Sequence, residues 1–312
     1  MKRFILNFIS ICAIIVIISI AIEIALLFRT NTYSYKHKYV MSHLNDINIL
    51  LMGNSHIANG LIPDSIGCGI FNTATSGRPV YYDVELIKQY VPLIENLKVV
   101  IMPLDYFSFY MGREIINPRN PKNSKNSKMD DTYKCMYYKY MNVPANYWYW
   151  SEITNSKLNY MHRFLEDSKQ ATGCDSLGYI INKFSKKNGN WEYGSLPMLI
   201  DISTPKNMKD YNLLYEEYST IAKITQQKDV RLILVGTPLY KTYHEDMNKN
   251  VVKEIHDFAA KLKKEFANVE YYDFSFDNRF VPKDFNDAGH LSEFGAAKFS
   301  KIMKGIIENH AQ

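Results

Sequence analysis

From Phe4 to Phe28 nearly every position is apolar, with Asn7, Ser10, Ser19 and Glu23 as the exceptions. About 20 apolar residues cross a bilayer as a helix, so this run is long enough to span one. Glu23 is costly in hydrocarbon, but it lies toward the far end of the run, where a side chain reaches the interface. A cleaved signal peptide would carry a shorter apolar region and a small-x-small site, and none follows Ala25. The pattern therefore predicts an uncleaved transmembrane anchor over residues 4–28. Lys2 and Arg3 precede it and favour a cytoplasmic amino terminus, whereas Arg29, Lys36 and Lys38 follow it. With so short an N-terminal tail, the expectation is a single-pass membrane protein whose main domain is extracytoplasmic. Residues 29–46 are polar and read as a stalk.

Beyond the stalk, short apolar runs alternate with helical periodicities. Ile47 to Met52 predicts a buried strand closed by Gly53. Gly69-Ile70-Phe71-Asn72 predicts a second, followed by Thr73-Ala74-Thr75-Ser76-Gly77. Tyr82 to about Asn96 reads as a helix with Val84, Ile87, Tyr90, Val91 and Ile94 on one face. Lys98 to Met102 predicts a third strand, stopped by Pro103. A helix follows from about Asp210 to Gln227, and then the β-branched run Val230 to Val235. A helix from about Asp246 to Phe266, a strand from Val269 to Asp273 and a helix from about Ser292 to Glu308 complete the chain, with Ser292 as the last N-cap. Strands alternating with helices predict a parallel sheet covered on both faces. There is no internal repeat, and residues 47–312 read as one α/β domain.

The alternation is interrupted over residues 106–207 by a large insertion after the third strand. It opens with the polar run Asn117 to Lys128, which reads as a solvated loop. Composition then flips, and Tyr133, Tyr137, Tyr138, Tyr140, Tyr147, Trp148, Tyr149 and Trp150 crowd together. All the tryptophans (Trp148, Trp150, Trp191) lie here. Two readings stand. One is an aromatic platform for stacking on sugar rings, with Trp148 and Trp150 touching substrate. The other is a subdomain core or a membrane-facing surface, since Tyr and Trp also favour the interface.

Charge changes the picture only by exclusion. The net formal charge is +5, and residues 1–46 hold five basic side chains against two acidic, leaving about +2 for the rest. A nucleic-acid footprint needs basic residues clustered on one face, and no such stripe is present. With Cys12 in the apolar run, Cys68, Cys135 and Cys174 remain. Their number and spacing fit neither a disulfide framework nor a metal site, so each reads as a small buried apolar residue.

The candidate chemistry sits at Gly53-Asn54-Ser55-His56. The turn places the Ser55 hydroxyl at the carboxyl end of the first strand, where open α/β sheets bind ligands. Such a serine becomes a nucleophile only when a base takes its proton, and the base is best a histidine held by a carboxylate. Asp287-Ala288-Gly289-His290 supplies that pair. Taken alone, Ser55 also fits a helix N-cap. His56 reads as a structural or substrate-side residue, because adjacent side chains diverge. His244 reads as a surface residue, and His244-Glu245-Asp246 cannot all converge on one ion, so no metal is expected.

Together, Gly53-Asn54-Ser55, Gly77 and Asp287-Ala288-Gly289-His290 resemble three blocks of the SGNH (GDSL-type) hydrolases. The apolar N-terminal run, the Thr237-Pro238-Leu239-Tyr240 stretch and the His-Leu-Ser ending resemble its membrane-tethered members, D-alanine transfer protein-like and polysaccharide O-acetyltransferase-like. The similarity covers residues 47 to 105 and 208 to 308. It implies a flavodoxin-like three-layer α/β/α sandwich, with Ser55 as nucleophile, His290 as base, Asp287 as orienting carboxylate and the Gly77 amide as an oxyanion donor beside that of Ser55. An α/β-hydrolase elbow is absent, since Ile57 stands where G-x-S-x-G needs its second glycine. One departure stands out. The family places an asparagine after the third strand as an oxyanion donor, and here Pro103-Leu104-Asp105-Tyr106-Phe107-Ser108 contains none. Tyr106, Ser108, Asn54 and Asn72 are the candidate substitutes, whereas an ionised Asp105 cannot donate.

The expected function is a serine esterase or O-acyltransferase that handles acyl groups, acetyl foremost, on a cell-surface glycan. Asn54, His56 and Tyr106 join the tryptophans as substrate-side candidates. No cofactor is needed. The expected partners are an acyl-bearing glycan, the membrane and a membrane-bound acyltransferase. The rival expectation is a non-catalytic, tethered glycan-binding or scaffold subunit.

Overall fold

The computed structural model describes residues 1–28, 30–106, 136–144, 173–184, 208–247 and 249–309. Helix α1 (Lys2–Leu27) has 26 residues, a length of about 39 Å at 1.5 Å per residue. It is long and apolar enough to cross a membrane. Its length and apolarity fit an anchor and a signal sequence alike.

The segment expected as a stalk is instead part of the domain. Residues Thr32–Ser42 form helix α2. Asn31 caps it, accepting from the amides of Tyr33 and Ser34, while Ser34 Oγ accepts from the Asn31 amide at 2.9 Å. Tyr39 stacks on Phe71 with ring centroids 3.9 Å apart, and His37 Nδ1 lies 2.9 Å from the Tyr90 hydroxyl. Val40 is fully buried. The helix was hidden in the sequence because its buried face is built from tyrosine rings, a lysine stem and one valine rather than from a plain apolar stripe.

The core is a five-stranded sheet in the order β2-β1-β3-β4-β5, every pairing parallel. The strands are β1 (Ile49–Leu51), β2 (Ile70–Asn72), β3 (Val99–Pro103), β4 (Arg231–Gly236) and β5 (Val269–Asp273). Each falls within two residues of its sequence expectation. β1, β2 and β3 are buried at every position, as strands covered on both faces require. This is the flavodoxin-like order implied by the resemblance, with its switch point between β1 and β3.

The connecting helices are α3 (Ser55–Gly60), α4 (Pro63–Ile66), α5 (Val80–Tyr90), α6 (Met208–Gln227), α7 (Lys241–Asp246), α8 (Lys249–Glu265) and α9 (Glu293–Asn309). α5 packs on α6 and α6 on α8, while α9 packs on α3 and α4, forming two helical layers. Two helices differ from expectation. α5 ends at Tyr90 rather than Asn96, and the expected helix at 246–266 begins three residues later, as α8, preceded by a separate short helix, α7, that the pattern did not show. An antiparallel hairpin of β6 (Phe285–Asp287) and β7 (His290–Leu291) had no counterpart in the sequence pattern, because its strands are only three and two residues long.

Two described pieces of the insertion belong to the domain. Tyr137 is fully buried and stacks on Tyr82 at 3.9 Å. Tyr140 is buried too, while Tyr138 is exposed, so in this piece the aromatic residues are mainly core. Residues 173–184 run over α3 and α9: the Ile180 amide donates to Ala58 O, and the Glu293 amide to Asn182 O. Trp148, Trp150 and Trp191 lie outside the described residues. The cysteines are not all buried as expected. Cys68 is exposed and Cys174 is half-buried, Cys68 because it stands between Gly67 and Gly69 in the turn entering β2. Cys135 lies outside the described residues.

Candidate active site

The β1 strand ends in a turn that needs its glycine. Gly53 has φ +111°, and a Cβ there would lie 2.3 Å from Pro103 Cδ on the neighbouring strand. A side chain would suffer both backbone strain and a clash. Asn54 follows as the cap of α3, its side-chain oxygen accepting the His56 amide at 2.9 Å. The N-cap is therefore Asn54 and not Ser55. Ser55 is the first residue of α3, at the end of β1 beside the switch point.

A buried ion pair braces the turn. Asp83 Oδ1 accepts from the Gly53 amide at 3.1 Å and from Arg78 Nη1 at 2.9 Å. Burial pushes the Asp83 carboxyl up to about 6, against the guanidinium and the Gly53 amide. Arg78 also donates to Thr73 O, Thr75 Oγ1 and the Tyr137 hydroxyl. The loop after β2 is tied to the same turn, since the Thr75 amide donates to Gly53 O at 3.1 Å. Gly77 lies in that loop with φ +65°.

The opposite wall is the β6–β7 hairpin. Its turn is shaped by Asp287, whose Oδ1 accepts from the amides of Gly289 and His290, each at 2.9 Å. The Tyr240 amide, after β4, donates to Ala288 O, and the Ser292 amide to Asp284 O. α9 presses close behind: a Cβ on Gly295 would lie 2.0 Å from Asp284 O.

These anchors bring together residues 235 positions apart. Ser55 Oγ lies 2.9 Å from His290 Nε2, and His290 Nδ1 lies 2.9 and 3.0 Å from the two carboxylate oxygens of Asp287. The His290 and Asp287 side chains are 30% and 35% exposed, so the site opens to solvent. The His290 hydrogen bond and charge and the two turn amides overcome the effect of burial and hold the Asp287 carboxyl below its usual value. The arrangement can deprotonate a serine for attack on a carbonyl.

Other candidates fall in different places. Asn72 does not reach in: its amide nitrogen donates to Ile57 O and Leu61 O, and its oxygen accepts from the Ala74 amide. Tyr106 is 1% exposed and packs edge-on against Tyr243. His244 is half-buried rather than on the surface, with its ring 4.4 Å from that of Phe276. Ser108 lies outside the described residues. Among the described residues no group of His, Cys, Asp and Glu could hold a metal.

Sequence reasoning missed one feature. Asp105, just past β3, sits 2.5 Å from His56 Nδ1, with the two side chains 0% and 3% exposed. The His56 ring lies 5.2 Å from that of His290, inclined by 75°. A flavodoxin-like order puts the ends of β1 and β3 side by side, so the pair could have been anticipated once that order was assumed.

No family model matches the chain, and no curated protein does. Among solved structures it is similar to a provisionally assigned platelet activating factor from Streptococcus pneumonia, at 11% identity and a TM-score of 0.42 over 87% of this chain and 92% of that one. It is also similar to a provisionally assigned acylhydrolase from Bacteroides fragilis, at 11% identity and 0.39 over 88% and 94%. A third is a GDSL-like lipase from Bacteroides thetaiotaomicron, at 11% identity and 0.39 over 88% and 98%.

Proposed function

We propose that this chain is a membrane-tethered serine esterase or O-acyltransferase. One observation carries the reading: Ser55 Oγ lies 2.9 Å from His290 Nε2, and Asp287 holds the other ring nitrogen. In this reading Ser55 attacks an ester carbonyl while its proton passes to His290 Nε2. The carbonyl π pair moves onto oxygen, and the amides of Ser55 and Gly77 stabilise the oxyanion. Collapse expels the alcohol, which takes the proton back from His290. Water, or a second hydroxyl, then attacks the acyl-serine by the same route in reverse. No cofactor enters the scheme.

The substrate is proposed as an O-acyl group, acetyl foremost, on a cell-surface glycan, with a membrane-bound acyltransferase as partner. The resemblance to polysaccharide O-acetyltransferase-like proteins supports this, as does the aromatic-rich stretch that includes Trp148 and Trp150. The topology proposed is a cytoplasmic amino terminus and an extracytoplasmic domain, supported by Lys2 and Arg3 ahead of α1. The second reading, a non-catalytic scaffold, is favoured by one observation: Asp105 stands after β3, where an asparagine donor is expected.

Labelling with a fluorophosphonate tests the choice. Wild type should be modified at Ser55, Ser55→Ala should not react, and His290→Ala should react at least tenfold more slowly. A folded wild type that resists millimolar reagent would replace the enzyme with the scaffold.

A further inference from the structure

Helix α1 is tied to one end of the domain, and the packing of α2 decides which. Leu27 ends α1 and Thr32 begins α2, so the connection between them reaches at most about 18 Å even when fully extended. α2 runs antiparallel to the strands. Just past its last turn it meets their amino ends, where Asn96 Nδ2 donates to Asn45 O at 2.7 Å and the Asn48 amide to Gly69 O at 2.7 Å. Its first turn lies by their carboxyl ends. Tyr33 meets the Tyr137 ring edge-on at 5.2 Å, the Tyr137 hydroxyl lies 2.6 Å from Thr75 Oγ1, and the Thr75 amide donates to Gly53 O at 3.1 Å. Lys36 reaches Ala74 O in the same loop. The anchor is therefore attached at the end of the sheet that carries Ser55, and its residues 1–22 are exposed throughout.

The same end carries exposed apolar side chains. Phe276 follows β5, and Phe294 lies in the first turn of α9, four residues past His290. Ile181 stands between Ile180, whose amide donates to Ala58 O of α3, and Asn182, whose carbonyl accepts from the Glu293 amide. Ile181, Phe276 and Phe294 are 53%, 47% and 51% exposed. Singly exposed apolar side chains need no explanation, and Met41 and Leu93, toward the amino ends of the strands, are of that kind. A bilayer held within about 18 Å changes this, because apolar side chains gain by entering its headgroup region. On so short a connection the domain lies against the leaflet by one side or another, and these three residues favour the side where the Ser55 site opens. We propose that the catalytic end of the domain docks on the leaflet that holds α1, with Ile181, Phe276 and Phe294 at the interface, so that Ser55 takes its ester from a molecule anchored in that leaflet. This rests on the membrane-tethered esterase reading. The other occupant of this end is a membrane-bound protein partner, which would cover the same side chains and keep lipid away from them.

Lipid contact can be read directly. The full chain, with Cys12, Cys68, Cys135 and Cys174 replaced by serine, carries one fluorophore through Ile181→Cys, Phe276→Cys or Phe294→Cys. Leu93→Cys is the control at the opposite end, and thermal unfolding checks the fold. The protein is reconstituted into phosphatidylcholine–phosphatidylglycerol vesicles with and without spin-labelled lipid. The spin label should at least halve the emission at 181, 276 and 294 and leave that at 93 unchanged; if one variant does not fold, the other two decide. A second readout compares a hexadecyl fluorophosphonate held in the vesicles with its ethyl counterpart in solution. Wild type should react about tenfold faster with the anchored form, since sharing a surface raises the effective concentration. Ile181→Ser with Phe294→Ser should lose most of that advantage and keep the rate with the soluble form. Labels at 181, 276 and 294 quenched no more than the one at 93 overturn the proposal, as expected if a protein partner covers this end. A folded double variant that keeps the full advantage also overturns it. A wild type that reacts with neither reagent removes the esterase reading instead, and the quenching then decides the docking alone.

Discussion

Asp83 Oδ1 holds the Gly53 amide at 3.1 Å from 30 positions away, and Arg78 holds Asp83 at 2.9 Å. The turn before Ser55 is thus braced by a buried salt bridge. Breaking one partner of a buried pair costs about 3–5 kcal/mol, whereas replacing both by packed apolar residues costs far less. Asp83→Ala should therefore lose that much stability in urea unfolding, and Arg78→Met with Asp83→Leu should recover most of it. If the double variant is no more stable than Asp83→Ala, the pair is not the source of the loss.

Gly53 meets two demands at once, a φ of +111° and the approach of Pro103. Backbone strain of this kind costs on the order of 1–3 kcal/mol, and the clash adds to it. Gly53→Ala should lower stability by at least about 2 kcal/mol and displace Ser55. Fluorophosphonate labelling should slow more than unfolding at room temperature explains. Normal labelling in a stable variant would count against the turn as the determinant of nucleophile position.

Asp287 both shapes the hairpin turn and orients His290. In Asp287→Asn the amide oxygen can keep the bonds from the Gly289 and His290 amides. The amide nitrogen then faces Nδ1 and favours the tautomer with its proton on Nε2, which cannot accept from Ser55. The expected result is near-wild-type folding with ester turnover down on the order of 10³–10⁴-fold. A variant that loses its fold instead would show that the turn role dominates.

Lys36 is fully buried on α2 and donates to Ala74 O in the loop that carries Gly77. Burial pushes its ammonium down to about 7, against about 10.4 when unfolded. Between those values the unfolded chain binds more protons than the folded one, so this group makes stability rise with pH across that window, by at most roughly 1.4 kcal/mol per pH unit. Below pH 7 the term is flat. Urea midpoints at pH 6, 7, 8 and 9 should show the rise in wild type and lose that component in Lys36→Met. The same slope in both proteins would mean that the lysine keeps its ordinary pKa.

The proposed topology is tested by fusion. A reporter that is active only outside the cytoplasm should work when attached after Gln312. If it is silent while a cytoplasmic reporter at the same place is active, the orientation must be reversed.

What the sequence determined by itself is what local physics decides. The strands at 49–51, 70–72, 99–103, 231–236 and 269–273 were legible because a covered parallel strand is a short, unbroken apolar run. The glycine turn before Ser55 and the distant Asp-x-x-His were legible because each is a short pattern. The α2 helix and the β6–β7 hairpin were not, since tertiary contacts stabilise one and the other is too short to show a period. Only the tertiary structure decided which distant groups meet. Gly53 meets Asp83, Lys36 meets Ala74 and His56 meets Asp105 only in the folded chain, the last because β1 and β3 are neighbours in the sheet. Buried polar groups take whichever partner the fold delivers, and no periodicity along the chain encodes that choice.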